Sequence, residues 1–133
     1  MDENLDRLDQ LCKRHPNLGL NSLSVTCGAG WFALLEAALL ELESLQKATP
    51  GLQYSVVQAT EKFGALRLYI SVPNGTRADV EAVGALISWA EQGSRSVCER
   101  CGAAGVVRER AGWLSTRCTS CFENSMRNRS DEE

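Results

Sequence analysis

Cys98-Glu99-Arg100-Cys101-Gly102, followed after residues 103–117 by Cys118-Thr119-Ser120-Cys121, is the stretch that decides the fold. Each C-x-x-C pair makes a tight turn that directs two thiolates to one point, and two such pairs at this separation are typical of a metal site. Four converging thiolates suit tetrahedral Zn²⁺ and leave no coordination position open for water. The sequence therefore predicts one structural zinc ion with four ligands: Cys98, Cys101, Cys118 and Cys121.

Two short β-strand patterns lie between the cysteine pairs. They cover Val106–Arg110 and Trp113–Arg117, and Ala111-Gly112 is a suitable turn between them. A cysteine turn, a hairpin and a second cysteine turn form a zinc ribbon, which we predict over residues 98–121. Two disulfide bonds, or a redox-active C-x-x-C pair, are the alternative interpretations of these cysteines.

The rest of the chain favours metal over disulfide bonds. Its first residues are acidic and contain no apolar run, so no secretory signal is expected. The most apolar stretch, residues 31–42, contains two glutamates and is too short to cross a bilayer. We therefore expect a cytoplasmic protein without a membrane segment, and thiols stay reduced in that compartment.

Hydrophobic periodicity before residue 98 predicts a body of helices and strands. The predicted helices are Asp2–Lys13, Trp31–Lys47 and a third that starts at the capping motif Thr76–Asp79 and ends near Gly93. The predicted strands are Tyr54–Ala59 and Leu66–Val72, joined by a hairpin loop over Thr60–Gly64, with a short extra strand through Leu23, Val25 and Cys27. The fold class expected is α+β, with an antiparallel hairpin packed on two to three helices and a C-terminal Cys₄ ribbon.

Three segments follow from these patterns. Residues 1–97 form the α+β body, residues 98–121 form the zinc ribbon, and residues 122–133 form a polar, frayed tail. Because the third helix ends close to Cys98, we expect the ribbon to pack on the body and not to hang on a flexible linker.

Catalytic residues are not evident in the sequence. His15, the only histidine, stands beside Pro16 in a polar stretch, so a surface or capping position is expected. No paired acids and no Ser/His/Asp or Cys/His set accompany it. Glu99 lies between two cysteine ligands and no proline precedes Cys118, so the zinc deaminase pattern is missing as well. We expect a protein that is not an enzyme.

Three parts of the sequence resemble a family of small, uncharacterised proteins from phages and bacteria. Members of that family carry a CGxGW segment, an EKFGxLRxY segment and a C-terminal CExCG segment that is followed by a second thiolate cluster. The corresponding segments here are Cys27–Trp31, Glu61–Tyr69 and Cys98–Gly102. The resemblance implies a small zinc-bearing protein and supplies no activity.

Composition and charge then favour binding of a protein partner. A net charge of −3 is unusual for a general nucleic-acid binder, and acidic surfaces attract and block basic partners. We expect an immunity or inhibitor protein, or a phage-encoded adaptor, whose partner is a basic toxin or nuclease. The expected partner surface consists of the EKFG hairpin and the ribbon, with these residues: Glu61, Phe63, Tyr69, Arg108, Arg110 and Trp113.

Two alternatives stay open. The ribbon arginines and Trp113 are also the residue types that contact phosphates and stack on bases, so a nucleic-acid-binding ribbon is the second functional hypothesis. Phe63 either fills the core from its loop or forms an exposed contact. Phe63, Tyr69 and Trp113 together either bind a partner or seal the joint between ribbon and body.

Overall fold

The protein has four helices and two antiparallel β-hairpins in the part that the structure, a computed structural model, describes: the backbone of residues 3–132 and the side chains of residues 3–125. The helices are α1 (Glu3–Arg14), α2 (Phe32–Ala48), α3 (Arg77–Ser94) and α4 (Thr119–Glu132). The strands are β1 (Ser55–Lys62), β2 (Ala65–Ser71), β3 (Val106–Arg110) and β4 (Trp113–Arg117). This architecture confirms the α+β class with a C-terminal cluster of cysteines.

Helix α2 lies at the centre of the hydrophobic core. Leu35, Leu39 and Leu42 recur at helical spacing and are at most 1% exposed. Each such side chain contributes about 1.5–3 kcal/mol when it is fully buried. Trp31, which the sequence places inside this helix, ends a short 3₁₀ turn just before it, Ala29–Trp31, and is fully buried.

The first hairpin joins β1 to β2 through a two-residue turn, Phe63-Gly64, where the sequence predicts a longer loop over Thr60–Gly64. Both turn residues have positive φ, 54° and 82°, as a type I′ turn requires. Ala59, Leu66 and Leu68 point into the core, and β2 lies along α3. The predicted hairpin is therefore confirmed, with strands that continue further into the turn.

The short strand predicted through Leu23, Val25 and Cys27 is wrong. Leu23 is 89% exposed, and Val25 makes a single parallel bridge with Ala59. The reason is local: the Asn21 side chain and carbonyl accept the backbone N–H groups of Leu23 and Ser24, which bends the chain into a turn.

His15 is buried, which corrects its predicted surface position. Its ring is 3% exposed, with Nε2 2.9 Å from Glu36 Oε2. Its Nδ1 lies 3.0 Å from Glu43 Oε1 but lacks hydrogen-bond geometry. Arg14 also pairs with Glu36, at 2.7 Å, and hydrogen bonds from Arg14 and then His15 lower the pKa of that carboxyl. The end of α1 thus packs on the polar side of α2, a contact that one-dimensional periodicity does not reveal.

The C-terminal segment is helical in the structure. Helix α4 covers most of residues 122–133, where the sequence predicts a polar, frayed tail. Within the described residues, none of the helices has the length and apolar character needed to cross a membrane.

Candidate metal centre

The sulfur atoms of four cysteines converge at one end of the second hairpin. All four Sγ atoms, from Cys98, Cys101, Cys118 and Cys121, lie within 4.8 Å of one another. The Sγ atoms of Cys101 and Cys118 are 3.7 Å apart. Tetrahedral zinc with Zn–S bonds of about 2.3 Å would hold its sulfurs about 3.8 Å apart, whereas a disulfide needs about 2.0 Å. The cluster therefore has the dimensions of a site for one metal ion.

The first cysteine turn is shaped by backbone hydrogen bonds. The Gly102 N–H donates to the Cys98 carbonyl at 2.9 Å, and Gly102 has φ of +85°, which glycine adopts without steric strain. The Ala103 N–H points at Cys101 Sγ, 3.5 Å away. These contacts fold residues 98–103 so that both sulfurs face the same point.

The second cysteine turn leads into a helix. Cys118 precedes α4 and Cys121 lies in its first turn, and the Cys121 N–H points at Cys118 Sγ at 3.4 Å. The Phe122 N–H donates to the Cys118 carbonyl at 3.0 Å. A helix N-terminus carries partial positive charge, which favours thiolates. The second half of the site therefore depends on α4, a helix that the sequence analysis missed.

Two of the four thiols have pKa values shifted in opposite directions. Burial raises the pKa of Cys98, but N–H groups of the Cys118, Cys101 and Arg100 backbone outweigh it and lower the value to about 6. Burial and the neighbouring sulfurs raise the pKa of Cys121 to about 12. Four adjacent thiolates repel one another, so a divalent cation is what allows all four to lose their protons.

The other two cysteines lie outside the cluster. Burial raises the pKa of Cys12, and burial together with the Glu99 charge raises that of Cys27 to about 12. Both are free thiols, partly or fully buried. They fit the small apolar role that their sequence patterns indicate.

Glu99, between the first two ligands, joins the ribbon to the body. Its carboxylate accepts the Gly28 N–H at 2.8 Å, and its carbonyl accepts the Gly30 N–H at 2.7 Å. The next contact along this joint is a 2.8 Å hydrogen bond from Trp31 Nε1 to the Val97 carbonyl. Buried polar groups are thus paired across the joint, as buried donors and acceptors require. We name this contact between residues 28–31 and 97–99 the ribbon joint.

The second contact between ribbon and body runs through Thr116. Trp113 and Leu114 are exposed, but Thr116 is fully buried and its hydroxyl donates to the Gly64 carbonyl at 2.5 Å. The Thr116 carbonyl accepts the Glu99 N–H at 3.0 Å. Residues 28–31, the Phe63-Gly64 turn and residues 97–99 therefore meet around Glu99 and Thr116.

Replacement of Thr116 by valine is expected to destabilise the protein by about 1–3 kcal/mol. Valine keeps the shape of the side chain but leaves the buried Gly64 carbonyl without a donor. Thermal or denaturant unfolding measures the loss. Thr26→Val is the matched control, since the exposed Thr26 hydroxyl donates only to Thr60 on the surface; equal effects of the two changes would contradict this role of Thr116.

Phe63 and Trp113, from the expected partner surface, come together at the tips of the two hairpins. Both side chains are exposed, 71% for Phe63 and 79% for Trp113. A groove of about 360 Å³ lies between the tips. We name it the tip groove, and its lining residues are Glu61, Lys62, Phe63, Gly112, Trp113 and Leu114.

The other expected partner residues are placed differently. Tyr69 is 39% exposed and pairs with Gln58, several residues along β2 from the turn, so it does not line the tip groove. Glu61 does, but its carboxylate accepts the Gly64 N–H at 2.7 Å and supports the turn. Arg108 and Arg110 lie on the opposite side of the second hairpin, towards α4.

Arg108 is engaged within the protein. Its Nε donates to the Arg117 carbonyl at 3.0 Å and its Nη2 to Thr119 Oγ1 at 3.2 Å. Its guanidinium lies 5.0 Å from the centre of the Phe122 ring. Arg108 therefore fixes the start of α4 against the hairpin, a role that the sequence analysis did not assign.

Comparison with known proteins found no match to the chain among family models, curated proteins or solved structures. The resemblance to small phage and bacterial proteins stays an expectation. The cysteine cluster itself shows that the protein can hold a metal ion.

Proposed function

We propose that the protein is a non-catalytic, zinc-binding protein of the cytoplasm that recognises a protein partner through the tip groove. Zinc is the proposed metal because a tetrahedral set of four thiolates is typical of structural zinc. With all four positions filled by sulfur, the metal would have no site for a reacting water. Its proposed role is to hold the second hairpin beside the first.

The conformation of Phe63 is the observation that carries this proposal. An L residue in the left-handed region costs about 1–2 kcal/mol, and Phe63 has φ of 54°. Asparagine or glycine would fill this turn position with less strain. Burial does not offset the strain, since the ring is 71% exposed. Binding accounts for a strained, exposed aromatic residue at this position.

Trp113 and the groove support the same interpretation. Aromatic side chains bury a large area with few rotatable bonds, and they are favoured as anchors in protein interfaces. Here two such side chains from different hairpins flank one concave surface. Neither seals the joint between ribbon and body, because both are exposed.

The charge of the groove favours no particular sign in its partner. Its charged lining residues are Glu61 and Lys62, one of each sign. The proposal that the partner is a basic toxin or nuclease therefore rests on the net charge of −3 alone. A role as an immunity or inhibitor protein, or as a phage-encoded adaptor, is compatible with a protein that acts by covering part of its partner.

Phe63→Asn is expected to separate binding from stability. The change relieves the strained turn and should raise the free energy of unfolding by about 1 kcal/mol, while it removes an anchor of the groove. Wild-type and variant proteins serve as parallel baits in cell extracts, and binding is then measured with the purified candidate partner. Loss of an anchor should weaken binding at least tenfold, or about 1.4 kcal/mol.

Leu23→Ser is the matched control, because it removes another exposed apolar side chain, 89% exposed, outside the groove. A partner recovered by the control and lost with Phe63→Asn supports the proposal. If the same proteins bind all three baits equally well, the tip groove is not the recognition surface. If Phe63→Asn instead lowers stability, the ring packs in the fold and the strain argument is wrong.

A further inference from the structure

The face of the second hairpin that lies towards α4 carries a second pocket, which shares Trp113 with the tip groove. It has a volume of about 280 Å³. We name it the ribbon pocket, and its lining residues are Arg110, Trp113, Ser115, Arg117, Phe122 and Ser125.

Strand register explains how these side chains meet. Arg110 pairs directly with Trp113, and Arg108 pairs with Ser115, so alternate residues of β3 and β4 share one face. Thr116 lies on the other face, which packs on the first hairpin through Gly64. Helix α4 supplies the remaining wall of the pocket. The pocket therefore requires both the second hairpin and α4 to be folded.

The pocket is positively charged. Arg117 has one acidic partner, Glu99, at 3.4 Å. Arg110 makes no hydrogen bond or ion pair with the residues that the structure describes. Among the side chains that the structure describes, those lining the pocket include no acidic group, although the protein as a whole has a net charge of −3. A free guanidinium in a concave site without carboxylates favours an anion, and arginine suits phosphate in particular.

The pocket also offers aromatic surface. Trp113 is 79% exposed and lines the pocket with one part of its side chain. Phe122 forms part of the opposite wall, where the Arg108 guanidinium holds its ring at 5.0 Å. Ser115 and Ser125 also line the pocket, and the Ser125 hydroxyl donates to the Phe122 carbonyl at 3.1 Å. Bases stack on exposed aromatic side chains of this kind.

We propose that the ribbon pocket binds a nucleotide unit, with its base stacked on Trp113 and its phosphate on Arg110. A single-stranded nucleic acid and a free mononucleotide share this chemistry. The ribbon pocket and the tip groove share Trp113, whereas of these two sites Phe63 lines only the groove and Arg110 lines only the pocket. Arg110→Gln therefore tests the pocket without removing a lining residue of the groove.

Fluorescence anisotropy of a labelled oligothymidylate of about ten nucleotides tests the proposal on the full, zinc-loaded chain. Binding is expected at about 50 mM salt, with a log–log salt slope of about −0.7 to −1.4 for one or two phosphate contacts. Arg110→Gln should weaken binding about tenfold, which corresponds to about 1.4 kcal/mol. It should change the melting temperature little, because the Arg110 side chain makes no hydrogen bond or ion pair within the part of the chain that the structure describes.

Arg77→Gln is the matched control: it removes the same charge from an exposed site on α3 and should leave binding unchanged. If adenosine monophosphate competes with the oligonucleotide, free nucleotides are a source of the ligand. If it does not compete, the ligand is single-stranded nucleic acid. Three results would overturn the proposal. Inorganic phosphate could compete as well as the mononucleotide, or wild type and Arg110→Gln could bind equally well. The third is that neither nucleotide probe binds.

Discussion

Cys98→Ser is expected to abolish stoichiometric zinc binding and to unfold residues 98–121 together with the start of α4. A structural zinc site supplies about 10 kcal/mol or more in zinc-finger peptides, comparable to the whole stability of a small domain. Cys98 is also fully buried. Its carbonyl accepts the Gly102 N–H in the first cysteine turn, and its N–H donates to the Ala103 carbonyl. Loss of this ligand therefore removes metal and local structure together.

Elemental analysis and denaturant unfolding of purified, reduced protein measure the two effects. Wild type should contain about one zinc per chain, as four thiolates require. Cys12→Ser is the matched control, since Cys12 is a partly buried cysteine outside the cluster. It should keep its zinc and lose little stability. Wild-type protein with well under one zinc per chain, or a Cys98→Ser variant that keeps it, would contradict the proposed metal.

Gly30→Ala is expected to destabilise the protein more than alanine at Gly28, the other glycine of the ribbon joint. A Cβ at this position would lie 2.2 Å from the Cys98 carbonyl oxygen and 2.5 Å from the Glu99 carbonyl carbon. Both neighbours are backbone atoms beside metal ligands, so they cannot rotate away. Overpacking in a well-packed core costs about 1–3 kcal/mol, and we expect a loss at or above the upper limit.

Gly84→Ala is the matched control for this substitution. Gly84 lies within α3, and an added Cβ there meets nothing within 4 Å. Alanine is favoured over glycine in a helix interior by about 0.5–1 kcal/mol, so this variant should be more stable than wild type. The two variants should thus shift the unfolding midpoint in opposite directions. A Gly30→Ala protein as stable as wild type would show that the ribbon joint is not closely packed.

The elements with strong local signals could be predicted from the sequence. The cysteine spacing indicated the metal cluster, and strand alternation with Ala111-Gly112 gave β3 and β4 with the bounds that the structure has. The capping motif at Thr76 correctly marks the start of α3: the Thr76 side chain accepts the Asp79 N–H and Asp79 accepts the Thr76 N–H. In each of these cases the interactions that form the element join residues close in sequence, or they follow from the chemistry of cysteine.

The features that the sequence did not reveal depend on contacts between distant segments. His15 is buried because α1 packs on the glutamates of α2, and Glu99 is buried because residues 28–31 cover it. Glutamate is mostly exposed in proteins and histidine is intermediate, so residue type alone does not predict a buried position for either. Helix α4 was missed because its polar sequence has no apolar stripe of its own.

The ribbon joint also has a consequence for how the protein forms during synthesis. Gly28 and Trp31 meet partners 71 and 66 residues further along the chain. Domains begin to fold as the N-terminal part emerges from the ribosome. Residues 28–31 therefore remain uncovered until residues 97–99 have been translated. Contacts between such distant residues also form slowly. The nascent chain thus carries an open binding surface for its own C-terminal quarter, and a chain truncated before residue 97 would keep that surface exposed.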